Sequence, residues 1–275
     1  LAGGEIIKFD KLVLATGSIP LKPKWLVGGE KENVFVIPKD KIYLDEMKNK
    51  LASHKKIVVI GAGFIGVEFS DELIKNKFEV TLVEKLPDIL SLAFDAELSK
   101  KIEEILIIRG VKIITGNGIK EILGKDKVES VLLENGEIIE ADAVILSVGY
   151  KPNVELARKS GIYVDESGFI AVDEYMRTHV KDIFAVGDCA QKRDFVTRAR
   201  VSTMLASTAC AEARIAGMNL FNLNVVKTFS GTIAIYSTAI GNTGFGTAGV
   251  TEARAKLEGI DSITGTFEGI DRHPG

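Results

Sequence analysis

The chain has 275 residues, 46% apolar, 27% charged and 7% aromatic, and carries a formal net charge of −3. That length holds one large domain or two ordinary ones with real cores, and the slightly acidic balance gives no electrostatic basis for binding nucleic acid or an anionic membrane. No apolar run approaches the ~20 residues that span a bilayer; the nearest, Ile105 to Ile114, is broken by Arg109 and Lys112. Cys189 and Cys210 offer neither a disulfide framework nor a zinc-type spacing, so both are expected as small buried residues in a reducing, cytoplasmic setting. No signal peptide is visible. The chain opens on Leu1 without a methionine and stops at His273-Pro274-Gly275, so it is expected to be an internal piece of a longer protein.

In chain order, Ile6 to Leu14 reads as a strand ending in Ala15-Thr16-Gly17-Ser18, followed by a Pro/Gly-rich link from Pro20 to Gly29. Asp40 to Ser53 has helical spacing, with Ile42, Leu44, Met47 and Leu51 apolar among charges. Lys56 to Ile60 is a short apolar strand, Phe64 to Lys77 a helix, and Glu79 to Val83 the next strand. Asp95 is the expected N-cap of a helix running to Arg109, with Gly110 just past its end and a strand at Val111 to Ile114. This βαβαβ alternation predicts a parallel, doubly wound sheet. A hairpin follows, Val128 to Leu133 and Glu137 to Ile139 about Asn135-Gly136. Strands are expected at Ala143 to Val148, Phe169 to Val172 and Ile183 to Val186. Ser207 to Phe221 reads as helix, Phe229 to Ile240 as strand and Thr251 to Glu258 as a short helix capped by Thr251.

Gly61-Ala62-Gly63-Phe64-Ile65-Gly66 is a G-x-G-x-x-G run directly after a strand and opening a helix. The first glycine permits a tight turn, the second lets backbone approach a pyrophosphate, and the third lets helix and strand pack closely. Phosphates then meet free N–H groups at a helix N-terminus. Glu84 ends the next strand, twenty-three positions after Gly61, near the ~20 expected of a ribose-binding acid. Its carboxylate can accept both ribose hydroxyls and repels a 2′-phosphate, which favours NAD(H) over NADP(H); Lys85 beside it is a cation that tolerates phosphate.

Phe184-Ala185-Val186-Gly187-Asp188 is a second strand-to-turn acid. Beside Leu12 to Ser18, Val58 to Glu68, Leu86 to Leu90, Gly149 to Asn153 and Ile183 to Ala190, the chain resembles the pyridine nucleotide-disulfide oxidoreductases, in that family's order and spacing from about residue 8 to 221. The resemblance implies an α/β fold in which an NAD-binding Rossmann-like domain (parallel sheet plus β-meander) is inserted in an incomplete FAD-binding Rossmann-like domain, followed by a partial α+β dimerisation domain. The implied boundaries are residues 1–35 and 151–222 for the FAD-binding part, 36–150 for the NAD-binding domain and 223–275 for the last. By the same resemblance Ala15, Thr16, Gly17, Gly149, Gly187 and Asp188 belong to cofactor sites, Asp188 as the acid on the ribityl chain of FAD. Ser207, Thr208 and Ala209 start a helix whose positive end faces the flavin. Phe64 corresponds to an aromatic that closes over the flavin and yields to nicotinamide, or is plain packing; Glu68 corresponds to an acid near the nicotinamide, or is a solvated helix residue.

The tail, through Ile240-Gly241 and Gly246 to Glu252, resembles the NADH oxidase and coenzyme A-disulfide reductase branch and implies a homodimer. Ile233, Ile235, Tyr236, Ile240 and Phe245, beyond about Val225, are expected to pack against another chain or to lack order. The implied activity is an FAD-dependent NADH oxidoreductase that passes hydride from NADH through flavin to a small-molecule acceptor, oxygen or a disulfide. The first FAD motif and the redox cysteine of the family do not occur in these residues, so the chain alone is expected to bind NADH and to be inactive. A non-catalytic NAD-binding fragment and an NADH-dependent reductase of a small electron-transfer protein are the alternatives.

Overall fold

The computed structural model describes residues 4–223 and 226–269; Leu1, Val225 and His273 to Gly275 lie outside them. In chain order the elements are β1 (Leu12–Leu14), β2 (Ser18–Pro20), β3 (Val34–Val36), α1 (Lys41–Leu51), β4 (Lys56–Ile60), α2 (Phe64–Lys75), β5 (Glu79–Val83), α3 (Ala96–Ile108) and β6 (Lys112–Ile114). Then come β7 (Ile119–Leu123), β8 (Ser130–Leu133), β9 (Ile138–Glu140), β10 (Ala143–Leu146), β11 (Tyr150–Pro152), α4 (Glu155–Lys159), β12 (Ile183–Ala185), β13 (Lys192–Arg193), β14 (Arg200–Val201), α5 (Ala206–Met218), β15 (Tyr236–Ile240), β16 (Thr243–Thr247) and α6 (Glu252–Leu257).

The main sheet is parallel, in the order β3-β10-β4-β5-β6. Its strands are apolar on both faces because both faces are covered. Ile57, Val59, Leu82 and Ile145 face α1, α2 and α3 in the largest core cluster. Val58, Ile60, Val83, Val144 and Leu146 face the other way, onto Ile122, Val131 and Leu133 of the antiparallel meander β7-β8-β9. Along β4 the side chains therefore alternate between two cores, as a period-two strand requires. α1 is capped by Asp40, whose carboxylate accepts the N–H groups of Ile42 and Tyr43 at 2.9 and 3.2 Å.

A smaller unit lies beside this domain. β1 pairs in parallel with β12 over a cluster of Leu14, Ile162, Ile170 and Ala185. The antiparallel pair β2-β11 carries the chain out of this unit and back. The hairpin β15-β16 then packs Ile240 into the core between α2 and α3, with Tyr236 and Phe245 against it. This corrects the expectation for the tail: Tyr236, Ile240 and Phe245 are covered by their own chain, and Ile233 and Ile235 are the exposed members of the set. Asp71 fixes the hairpin from below. Its buried carboxylate binds Arg109 Nε at 2.5 Å and Lys75 Nζ at 3.0 Å and accepts the Gly241 N–H at 3.5 Å. Burial pushes the Asp71 carboxyl up, but the Lys75 and Arg109 hydrogen bonds outweigh it and hold the group below the usual carboxylate range.

Other local expectations are corrected as well. Asp95 precedes α3 but makes no side-chain cap there; its carboxylate accepts the N–H groups of Glu252 and Ala253 and so caps α6. α6 has Thr251 as a second cap, on the Arg254 N–H. The first strand shrinks to β1, and Ile6, Ile7 and Phe9 are exposed with no strand partner among the described residues. Phe169 to Val172 forms only isolated bridges from Ile170 to Val164 and Ala190. In the segment from Phe229, Thr232 makes an isolated bridge to Asp194 and a left-handed Ala234 (φ 48°) ends the extended run, so the hairpin pairing begins at Tyr236. Cys189 is buried but Cys210 is exposed, because the inward stripe of α5 runs through Thr208, Glu212, Ile215 and Ala216. Among the described residues no helix is long and apolar enough to cross a membrane.

Two outcomes follow from this packing. Ile240→Ala is expected to cost about 2–4 kcal/mol in denaturant melts, whereas Ile263→Ala, at a fully exposed position, stays within about 0.5 kcal/mol. Asp71→Asn is expected to destabilise the fold at pH 7. Because the Asp71 carboxyl titrates lower folded than unfolded, its contribution is present above the ordinary value of 3.8 and is lost on acidification. Melts of the two proteins should therefore converge as the pH falls through that range.

Candidate nucleotide and flavin sites

The β4–α2 turn is built by close approach. A Cβ at Gly61 would lie 2.5 Å from the Ser147 carbonyl oxygen, and one at Gly66 would lie 1.9 Å from the Gly61 carbonyl oxygen. Only hydrogen fits at either place, so α2 starts tight against the ends of β4 and β10. Gly63 differs: nothing lies within 4 Å of a Cβ built there. It is the N-cap of α2 and has no side-chain cap, so the first-turn N–H groups after it have no acceptor from a capping side chain or from within the helix. Ala62 and Ile65 complete the turn. Glu84 follows β5 and reaches back to it. One carboxylate oxygen accepts the Ala62 N–H at 2.7 Å and the other the Leu86 N–H at 2.9 Å. The acid is thus oriented beside the glycine turn by two backbone donors. Lys85 points elsewhere, to Glu134 at 3.0 Å.

From this turn a cleft of about 500 Å³ runs between α2 and the start of α5. Gly63, Phe64, Ile65 and Glu68 form one wall, Ser147, Gly149 and Tyr150 its floor, and Met204 to Ser207 the facing wall. Ile235 to Ser237 close a third side. Phe64 stacks on Tyr236, centroids 5.2 Å apart, and Glu68 accepts a hydrogen bond from Thr238 Oγ1 at 2.8 Å. α5 enters this cleft with Leu205 as N-cap and no side-chain cap bond, leaving its positive end free. Ser207 is exposed at that end; Thr208 turns inward to share a hydrogen bond with Thr232 at 2.9 Å, and Ala209 lies 3.6 Å from where a Cβ at Gly187 would sit.

The second acid stands at the end of β12. Asp188 is buried, with Lys39 Nζ at 2.6 Å and Ser18 Oγ at 2.7 Å on the same carboxylate oxygen. Burial raises its titration point, but Lys39 and Ser18 prevail and the group is held below the usual range. Ala15, Thr16 and Gly17 run alongside at the end of β1, where Thr16 Oγ1 donates to the Asn153 carbonyl at 2.5 Å and the Asn153 N–H to Gly17 at 2.8 Å. The turn at Gly187 is held from both sides. Its N–H donates to Glu212 at 2.6 Å and its carbonyl accepts from Lys192 at 2.9 Å. Lys192 and Glu212 are both buried, with Nζ 3.5 Å from Oε1. That oxygen has no hydrogen-bond partner, and burial raises the Glu212 carboxyl against the pull of Lys192. Sequence reading missed Ser18, Lys39, Lys192, Glu212 and Tyr236. Glu212 left a readable signal: a carboxylate on the stripe of α5 that carries Thr208, Ile215 and Ala216. Lys39 left none, since its partner is 149 positions away. Among the described residues no cluster suited to a metal ion is present.

A tight glycine turn that opens a helix at the end of a parallel sheet, with one acid hydrogen-bonded to that turn and a second acid at the end of another parallel strand pair, is the arrangement of an α/β protein. The chain belongs to the pyridine nucleotide-disulphide oxidoreductase family, whose model matches residues 2–213. It is 30% identical over 269 residues to an NADH oxidase of Methanocaldococcus jannaschii, covering 97% of this chain and 58% of that protein. Among solved structures, an NAD-dependent persulfide reductase from A. fulgidus superposes with a TM-score of 0.86 at 33% identity, over 93% of this chain and 47% of that one. A ferredoxin reductase from Rhodopseudomonas palustris gives 0.80 at 28% identity, over 90% and 59%. The chain therefore spans about half to three fifths of the length of these relatives.

The turn makes a paired expectation. Gly63→Ala should change stability by about 1 kcal/mol at most, yet lower nucleotide affinity tenfold or more, on the order of 1.4 kcal/mol, by placing a methyl where a pyrophosphate approaches. Gly66→Ala, against a carbonyl oxygen, should cost about 3 kcal/mol of stability. Denaturant melts and titration with NAD+ separate the two.

Proposed function

We propose that the protein is an NADH-dependent flavoprotein oxidoreductase, with this chain supplying the nucleotide site and part of the flavin site. The observation that carries the reading is the single cleft onto which the α2 and α5 N-termini both open, with Glu84 behind one and Asp188 beside the other.

The residues fit the two groups. The open space at Gly63 suits a pyrophosphate, and the oriented Glu84 carboxylate suits the adenosine ribose hydroxyls. Asp188, kept ionised by Lys39 and Ser18, is an acceptor suited to the hydroxyls of a ribityl chain. The uncapped end of α5 favours negative charge on whatever ring lies against it. Bound FAD would supply two-electron transfer between nucleotide and acceptor. The chain's own part is to orient the nucleotide along α2, with the Phe64 ring lining the cleft beside it. Gly187 is kept rigid through Glu212 and Lys192.

For the acceptor, oxygen or a sulfur species is the reading favoured by the kinship with an NADH oxidase and a persulfide reductase; the ferredoxin reductase keeps a small electron-transfer protein as the second. We assign residues 36–150 to the NAD-binding domain, 1–35 and 151–222 to the FAD-binding part and 223–275 to a C-terminal domain. A cytoplasmic homodimer completes the proposal, and exposed Ile233 and Ile235 are available to its interface.

Nucleotide choice tests the site. Lys85, the neighbouring cation, is engaged by Glu134 at 3.0 Å. NAD(H) should bind on the order of tenfold or more tightly than NADP(H), about 1.4 kcal/mol or above. Isothermal titration of the oxidised protein with NAD+ and NADP+ reads this directly. Equal affinities would remove Glu84 from the ribose.

A further inference from the structure

We propose that Tyr236, on the C-terminal hairpin, is a positioning residue for the nicotinamide end of the nucleotide, acting by holding the Phe64 ring to one side of the cleft. The inference rests on the nucleotide-site reading above and goes beyond it by bringing the tail of the chain into that site.

Phe64 is the first residue of α2, immediately after the Gly63 N-cap. Its ring therefore stands one residue from the backbone that would hold phosphate, where the nucleotide turns from pyrophosphate toward its reactive end. Two rings hold it there. Tyr236 stacks on it at 5.2 Å with planes 17° apart, and Phe94 meets it at 5.9 Å and 58°. Tyr236 is on the hairpin and Phe94 just before α3; Gly149, Met204 and Ser207 line the other side of the cleft, and the Tyr150 ring on its floor forms no ring pair with Phe64 among the described residues. The space between Phe64 and the α5 terminus is thereby kept open.

Tyr236 is itself fixed by the register of β15 against α2. Phe64, Glu68 and Asp71 recur at helical spacing on one face of α2, and they meet Tyr236, Thr238 and Gly241 in turn, by the stack and by bonds of 2.8 and 3.5 Å. Ile240, fully buried on the same side of the strand, anchors the row. A strand held at three further points cannot slide, so the Tyr236 ring is a fixed surface for a mobile one. Without it, Phe64 loses its stacking partner and is free to turn into the cleft and compete with the nicotinamide. ADP-ribose, which shares the pyrophosphate and adenosine ribose but has no nicotinamide, should not feel the change.

The test is isothermal titration of the full-length, FAD-loaded, oxidised protein with NAD+ and with ADP-ribose, comparing wild type, Tyr236→Leu and Tyr236→Phe. An aromatic pair is worth a factor of about two to ten. Tyr236→Leu should weaken NAD+ binding by about that factor and leave ADP-ribose within about 1.5-fold of wild type. Tyr236→Phe, which keeps the ring, should match wild type with both ligands. Unchanged or tighter NAD+ binding in Tyr236→Leu overturns the proposal, as does a parallel loss of both ligands or a failure of Tyr236→Phe to restore binding. If wild type binds neither ligand, the nucleotide-site reading itself fails, and this inference with it.

Discussion

Helix α2 begins so close to the sheet that the Gly61 carbonyl and the Cα of Gly66 leave no room for a methyl between them. Most of the site geometry descends from that contact. It aims the helix terminus at the strand ends, where fixed N–H dipoles can meet a diphosphate without reorganising. It also fixes the rotation of α2 about its axis, and with it the directions of Phe64, Glu68 and Asp71. One face of this helix then presents an aromatic ring to the cleft, an acid to Thr238 and a second acid to the hairpin turn. Glu84 adds a constraint from the neighbouring strand, since it is already hydrogen-bonded to the turn it serves. Displacing the Ala62 N–H from Glu84 is not required for ribose to bind, because the carboxylate has further lone pairs to offer.

The acid at the end of β12 obeys different electrostatics. Asp188 is kept ionised by a lysine from a distant loop, whereas Glu212, fully buried, is pushed toward its neutral form. Two acids of similar intrinsic strength are thus driven in opposite directions by their surroundings. Their roles divide accordingly. Asp188 holds its charge against Lys39 and Ser18, and Glu212 with Lys192 grips both backbone groups of Gly187. Burying a carboxyl and an ammonium together seldom adds net stability; here the two side chains fix the conformation of the turn that carries Asp188.

The sequence was most legible where local and tertiary demands agree. The alternation of short apolar strands with amphipathic helices from Lys56 to Ile114 appears in the fold nearly as read, because β4 and β5 are buried on both faces and the edge strand β6 packs one side chain against each core. The glycine turn was legible because close approach forces residue identity. Legibility falls where a partner is far away in sequence. β7 carries Lys120 and Glu121 and is held by β8 on one side and by a bridge to the distant Val27 on the other, and β16 reads Thr-Gly-Phe-Gly-Thr, a poor strand by propensity that exists through its register with β15. Asp95 has the local sequence of an N-cap, yet it serves a helix 157 positions away. Lys39 and Tyr236 are likewise set by contacts that no spacing announces, and both lie against residues that the motifs did identify.

The central claim is that the α2 site delivers a nicotinamide nucleotide to a flavin held near Asp188 and the α5 terminus. Anaerobic addition of NADH to the full-length protein, followed by its visible absorption spectrum, tests this most directly. The account requires a flavin absorption band in the purified protein that bleaches on adding stoichiometric NADH. A protein that carries no flavin, or whose flavin band is untouched by NADH, would contradict it.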